Sequence, residues 1–368
     1  MSGFQVNIDC EGPLTQNDNA FELCEAFIPE GGEFFRRVSR YDDYLVEVEK
    51  REGYKAGDTL RLILPFLKAY ELTSNQMKEF SKKTLCLIPG TDEFLKLLSN
   101  LVPAFIISTS YRPYLDALCE LTSFPRENIY ATEVDIDSYS LPDDEKQKLK
   151  NYVKDINALP IIDWDDQASS IEDLDASYKE AVKVLEDIFW NRIPKMEIGS
   201  IVRDVNPIGG HEKARAVKDS LTRTKNSLSN VIYIGDSITD SEALELVASG
   251  GGIAIAFNAN RYAIKKANYV VTSGDTRILG AIVYLITNKG KEALFEMLDN
   301  NTSLVGKELL LKLEHYNLPS NIIDPLKGLS DLSMPMISLI SPKNINQLIE
   351  HSEKIRKTVR GVAVGTLG

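Results

Sequence analysis

Two short stretches deliver carboxylates to what read as strand ends. Phe4-Gln-Val-Asn-Ile-Asp9-Cys-Glu11-Gly-Pro-Leu-Thr15 is an apolar run closing on two acids and a glycine. Val231-Ile-Tyr-Ile-Gly-Asp236-Ser-Ile-Thr-Asp240 repeats the pattern, with a second Asp four residues on. Continuous apolar runs of this kind read as buried parallel strands. Open α/β sheets hold ligands at the carboxyl ends of such strands. If the two edges meet, Asp9, Glu11, Asp236 and Asp240 converge. Clustered carboxylates raise one another's pKa unless a cation neutralises them. Mg²⁺ suits the set, because it takes one or two carboxylates, a carbonyl and waters, and leaves an edge for a phosphate. A phosphate then needs further donors. Ser108 and Thr109 end the Phe105-Ile-Ile run and are expected to open a helix, whose first N–H groups favour an anion. Gly209-Gly210-His211-Glu212-Lys213 sets a lysine at a helix start after a glycine-rich loop. Lys218 is its rival by position, and a solvated helix lysine is the plain alternative for either.

Strand-like runs followed by helical patterns must position these groups. The strand candidates are Phe4–Ile8, Ala104–Ile107, Asn128–Val134, Ile198–Arg203, Val231–Ile234, Gly252–Phe257 and Tyr269–Thr272. Helical stretches Asp92–Leu101, Arg112–Leu121, Lys213–Leu221 and Ser241–Ala248 lie between them. Strand–helix alternation predicts an α/β fold with a doubly wound, Rossmann-like parallel sheet.

Two segments break the rhythm. Residues 18–85 carry helical periodicity only, in Phe34–Val48, Thr59–Tyr70 with a break expected at Pro65, and Ser74–Lys83 with Ser74 as N-cap. Residues 135–197 carry helices at Pro142–Val153 and Ala176–Trp190. The acids Asp163, Asp165, Asp166, Glu172, Asp173 and Asp175 precede the second of these; a solvated loop favouring a helix N-terminus explains them better than a second metal site. After residue 288 the alternation stops, and helices are expected at Lys291–Leu298 and Gly306–His315. A last helix should start with Ser341 as cap and Pro342 in first position. Its apolar face (Ile345, Leu348, Ile349, Ile355, Val359) suits core packing, with a homo-oligomer contact as the alternative.

The 368 residues are 43% hydrophobic and 26% charged, and 42 Lys+Arg against 54 Asp+Glu give a net charge of −12. That balance argues against nucleic acid, which needs a basic footprint. No apolar run is long enough to span a bilayer. The opening residues show no basic n-region or apolar core, so no signal peptide is read. Cys10, Cys24, Cys86 and Cys119 form no C-x-x-C pair, and with three histidines a zinc site is not expected. Buried thiols in a reducing cytoplasm are the simpler reading.

With these residues in view, the chain resembles the haloacid dehalogenase superfamily of Mg²⁺-dependent phosphoryl-transfer enzymes, and within it the phosphoserine phosphatase branch. Four motifs appear in order: Asp9-Cys-Glu11-Gly12-Pro-Leu-Thr15, Ile107-Ser108-Thr109, Lys213, and Gly235-Asp236-Ser-Ile-Thr-Asp240. The resemblance covers roughly residues 4–15, 86–134 and 196–287. It implies a phosphoric monoester hydrolase with Asp9 as nucleophile, forming an aspartyl-phosphate, and Glu11 as general acid and base. It implies Mg²⁺ held by Asp9, Asp236 and the Glu11 carbonyl, with Asp240 in support. Ser108, Thr109, Lys213 and Asn258 would bind the phosphate of a small phosphorylated metabolite. Glu11 stands where most members carry Asp, which leaves transfer to a small alcohol acceptor as an alternative to hydrolysis. Ser-Thr-Ser110-Tyr111 departs from the Ser-Gly-Gly usual in that branch, so phosphoserine is not assigned. A third alternative is a non-catalytic scaffold on the same fold; the intact costly charges count against it.

The implied organisation is a core of residues 1–17, 86–134 and 198–288, a helical cap at 18–85, a second insertion at 135–197 and a helical C-terminal extension at 289–368. Arg36, Arg37 and Arg40 in the cap could read a substrate anion, or pair with Glu33, Asp42 or Asp43. Asn19 and Glu22 could contact a substrate amine, or be a helix cap and its solvated turn.

Overall fold

In the computed structural model of the chain, residues 3–165, 167–298, 303–330 and 333–367 are described. Strand β1 (Gln5–Ile8) is buried along its whole length because parallel neighbours flank it on both sides. These are β2 (Ala104–Tyr111) and β4 (Val231–Gly235). Outside them lie β3 (Ile129–Thr132), β5 (Ile253–Phe257) and β6 (Tyr269–Thr272), all parallel. Two further strands, β7 (Ser303–Val305) and β8 (Met336–Leu339), complete an eight-stranded sheet in the order β3-β2-β1-β4-β5-β6-β8-β7. β8 runs antiparallel to β6, and β7 antiparallel to β8. The fold is a mostly parallel, doubly wound α/β sheet with helices on both faces.

Register is what matters for the site. Ile8 pairs with Ile106 on one side and Ile234 on the other. Asp9, Ser108 and Asp236 therefore leave neighbouring strands at one edge, as ligand-binding sheets of this kind arrange them. One apolar layer, including Ile8, Phe94, Leu115 and Ile282, covers one face. A second, including Tyr233, Val217, Leu244 and Ile264, covers the other.

The two interruptions fold together. Helices Asn19–Phe27, Gly31–Glu47 and Thr59–Ala69 share one apolar core with Asp143–Asn157 and Ala176–Glu186. Tyr41 stacks on Phe189 across that junction, with ring centroids 6.1 Å apart. The acidic run between them forms local contacts: Asp173 accepts hydrogen bonds from Ser169 and Ser170, and Glu172 pairs with Lys179. Asp166 lies outside the described residues.

Several local expectations are corrected. Ile198–Arg203 is no strand but lies largely in the helix Gly199–Asp204, since a short buried aliphatic run has no period to distinguish the two. Ser108 and Thr109 do not open a helix: β2 continues to Tyr111, and the helix begins at Arg112 with Pro113 in its first turn. Pro65 sits inside an unbroken helix. It removes the donor that would serve the Arg61 carbonyl, a cost offset by burying Leu62, Ile63, Leu64, Phe66 and Leu67. Thr73, not Ser74, caps the next helix, in a reciprocal box with Gln76. The long helix of the tail is Ile345–Arg360, starting from Asn344 rather than Ser341, and a single turn, Val362–Gly365, follows it. The tail is not wholly helical, since it supplies β7 and β8. Cys86 is exposed, whereas Cys10, Cys24 and Cys119 are buried. Among the described residues no helix is long and apolar enough to cross a membrane.

Candidate active site

Asp9 follows β1 directly, its N–H held by the Ile234 carbonyl at 2.9 Å. Its Oδ1 accepts the Cys10 N–H at 2.7 Å, and its Oδ2 lies 2.6 Å from Lys213 Nζ. The same ammonium lies 2.7 Å from Asp240 Oδ1. Lys213 reaches this point because its helix, His211–Thr224, starts from the Gly209-Gly210 loop pressed against neighbouring backbone. A Cβ on Gly209 would stand 2.1 Å from the Ala56 carbonyl oxygen. Asp240 is fully committed: beside Lys213 it accepts Tyr233 Oη at 2.7 Å and the N–H groups of Asp236 and Ser237 at 3.0 and 3.2 Å.

Electrostatics follow from enclosure. Desolvation, opposed by Lys213 and reinforced by Asp240 and Asp236, pushes the Asp9 pKa up to about 8. Desolvation alone would lower Lys213, but Asp240 and Asp9 outweigh it and its pKa is raised. The Glu11 carboxyl is pushed well above its usual range, first by desolvation and then by Asp18, against Arg360. Its Oε1 accepts the Asn19 N–H at 2.6 Å.

Asp236 is held by two residues the sequence reading missed. Arg356 and Arg360, on the helix Ile345–Arg360, both donate to Asp236 Oδ2, Arg360 at 3.2 Å. Arg356 also donates to the Asp236 carbonyl at 3.2 Å, and Arg360 to the carbonyls of Gln16 and Asn17. Gly12 makes room for this arrangement. At φ +101°, a Cβ there would lie 2.0 Å from Asp236 Oδ2.

Asp9, Glu11, Ser108, Thr109 and Asp236 line one cavity of about 90 Å³, together with Arg356, Arg360 and Leu367. Ser108 Oγ accepts the Ser110 N–H at 3.2 Å, and Thr109 Oγ1 is turned to the Ile208 carbonyl at 3.0 Å. Asn258 does not reach the cavity: its side chain ties β5 to β6 by pairing with the Ser273 backbone at 2.8 and 3.0 Å. Lys218 is exposed, which leaves Lys213 the lysine of the site. Arg36, Arg37 and Arg40 pair with acids of their own helix or of the 135–197 segment. Arg36 and Arg37 meet Glu33 at 2.9 Å, and Arg40 meets Asp163 at 2.8 Å and Asp43 at 3.5 Å. Asn19 opens its helix behind the Asp18 cap, and Glu22 accepts both its bonds from Asn17.

One oxygen each of Asp9, Asp236 and Asp240 lies within 4.8 Å of the others, all buried. A hard oxygen set whose Asp9 carboxyl is driven up, first by desolvation and then by Asp240 and Asp236, fits a divalent cation in kind. The Glu11 carboxylate does not belong to that group.

Residues 106–280 match the family model of haloacid dehalogenase-like hydrolases. No curated protein matches the sequence. A gene product from Archaeoglobus fulgidus of known structure is 27% identical, with a TM-score of 0.79 over 100% of this chain and 99% of that one. A substrate-bound phosphoserine phosphatase is 12% identical over 76% of this chain and 97% of its own, with a TM-score of 0.45. A phosphoserine phosphohydrolase-like protein from Francisella tularensis is 18% identical over 76% and 99%, with a TM-score of 0.43. The last two likenesses are too distant to carry weight. By its fold and by the match over residues 106–280, the chain is similar to the haloacid dehalogenase-like hydrolases.

Proposed function

We propose that the protein is a Mg²⁺-dependent phosphatase acting on a small phosphorylated metabolite through an aspartyl-phosphate on Asp9. The observation that carries this reading is the buried Lys213 ammonium 2.6 Å from Asp9 Oδ2 and 2.7 Å from Asp240. That lysine pulls the Asp9 pKa down against an enclosure that still raises it to about 8, and a bound divalent cation would complete the ionisation that makes Asp9 nucleophilic. Asp9 forms its bond to phosphorus as the bond to the substrate's leaving oxygen breaks, and Glu11 gives that oxygen a proton. Glu11 then takes a proton from water, whose oxygen displaces Asp9 from phosphorus. A carboxyl pushed above its usual range is suited to arriving protonated at neutral pH. Ser108 donates to the phosphoryl oxygens.

Asp9, Asp236 and the Glu11 carbonyl would hold the divalent cation, which neutralises the phosphate dianion and polarises it. Residues 18–85 act as a cap that excludes water, within the six-segment organisation set out from the sequence. A panel of phosphorylated metabolites assayed with Mg²⁺ beside Asp9→Asn tests the reading. Inorganic phosphate should be released from at least one of them, and the substitution should abolish release.

A further inference from the structure

The stripe that docks the C-terminal helix is mostly polar. Leu348, Ser352, Arg356 and Arg360 recur every four residues and so share one face. Leu348 is their single apolar member, with Ile345 and Ile349 partly buried beside it. Ser352 Oγ donates to the Ala259 carbonyl at 2.8 Å. The two arginines close on Asp236, with side chains only 3% and 4% exposed. Beside its hydrogen bonds to the Ala259, Gln16 and Asn17 carbonyls, the helix is thus tied to the site by a buried charge contact made with one carboxylate.

That carboxylate belongs to the candidate cation site. The three carboxylates of Asp9, Asp236 and Asp240 face three resident cations, Lys213, Arg356 and Arg360. Lys213 with one divalent cation would supply the same formal charge. A cation on Asp236 would therefore compete with the arginines and remove the buried charge contact that ties the helix to the site.

The space around the acids agrees. With the helix docked, about 90 Å³ is left over Asp9 and Asp236, well below the few hundred Å³ usual for a metabolite pocket. A separate cavity of about 640 Å³ lies between Arg40, Arg261 and Lys357. Ser39, Asp43 and Leu367 line both, so withdrawal of the tail at Leu367 would join them.

We propose that the segment from Ile345 to Leu367 is an autoinhibitory strap: Arg356 and Arg360 occupy the cation's place on Asp236, and a divalent cation binds by displacing them and opening the site. The inference rests on the cation part of the proposed function and not on its phosphatase part. Hydrogen exchange of the wild-type full chain, with and without Mn²⁺, reads the strap directly. Exchange across residues 345–367 should speed up with Mn²⁺, while residues 277–289 stay protected. Mn²⁺ binding, followed by the electron paramagnetic resonance of the free ion, should tighten roughly 5–150-fold in Arg356→Gln/Arg360→Gln, the usual range of a coupling between sites. If that variant does not fold, the wild-type exchange decides alone. Mn²⁺ that binds the wild type with residues 345–367 unchanged or slowed, a folded variant that binds it no tighter, or no binding to either protein would overturn the strap. Neither measurement reads turnover, so a chain that trades its strap for Mn²⁺ yet hydrolyses no phosphate would support this inference while rejecting the phosphatase.

Discussion

Lys213 Nζ sits between Asp9 and Asp240, 2.6 Å from one carboxylate and 2.7 Å from the other, with no solvent exposure. One ammonium thus serves the group proposed to attack and the group that fixes the ammonium itself.

Removing it leaves two buried carboxylates without their shared partner. Lys213→Met should cost about 3–5 kcal/mol of stability, the usual penalty for breaking a buried pair from one side. Urea unfolding should show a lower midpoint with an unchanged slope. Adding Asp240→Asn should recover part of the loss, because one stranded charge is removed. A single variant as stable as wild type would mean the lysine does not hold this cluster.

Asp9 gives stability a pH dependence of definite sign. Its pKa is about 8 in the folded chain against 3.8 for the free side chain. The folded state therefore keeps a proton that the unfolded state loses between these values. This contribution is complete below about pH 4 and fades as pH rises through about 8. Thermal melts in EDTA should show Asp9→Asn gaining on wild type across that window. A constant difference between the two proteins would contradict the assignment.

Glu11 separates hydrolysis from a purely structural role. General acid catalysis is typically worth about 10²–10⁴-fold. Glu11→Gln should lose that much on alkyl phosphates and far less on p-nitrophenyl phosphate, whose leaving group needs little protonation. Equal losses on both would make Glu11 structural. Offering an amino-alcohol acceptor in the same assay tests transfer, and inorganic phosphate should remain the product.

Gly12→Ala should damage the site without unfolding the sheet. A side chain at φ +101° is strained, and its Cβ would meet the Asp236 carboxylate. Turnover should fall at least tenfold, while hydrogen exchange in β5 and β6 stays protected. Full activity in the alanine variant would mean that Asp236 is free to move.

The acids were legible because strand ends concentrate them, and the lysine because it opens a helix after a glycine pair. Apolar runs stop abruptly at Asp9 and at Gly235-Asp236, and parallel pairing then brings the two together. Arg356 and Arg360 were not legible. They stand 120 and 124 residues from Asp236, and basic groups towards a helix C-terminus read as ordinary partners of the helix dipole or of solvent. The fourfold spacing from Leu348 through Ser352 was the available signal, and it marks only a shared face. Strands β7 and β8 were hidden for a related reason: at three and four residues, they are too short to show a period. Asn258 is a phosphate ligand by resemblance only, and a backbone turn at φ +47° sends its side chain to Ser273 instead.

The central claim is that Asp9 accepts the phosphoryl group. The most direct test is rapid acid quenching during turnover of a metabolite found active in the panel, followed by peptide mass analysis. The peptide containing Asp9 should carry one added phosphoryl group, absent from Asp9→Asn, which should also be inactive. Sustained turnover by Asp9→Asn, with no adduct on that peptide in the wild type, would contradict it.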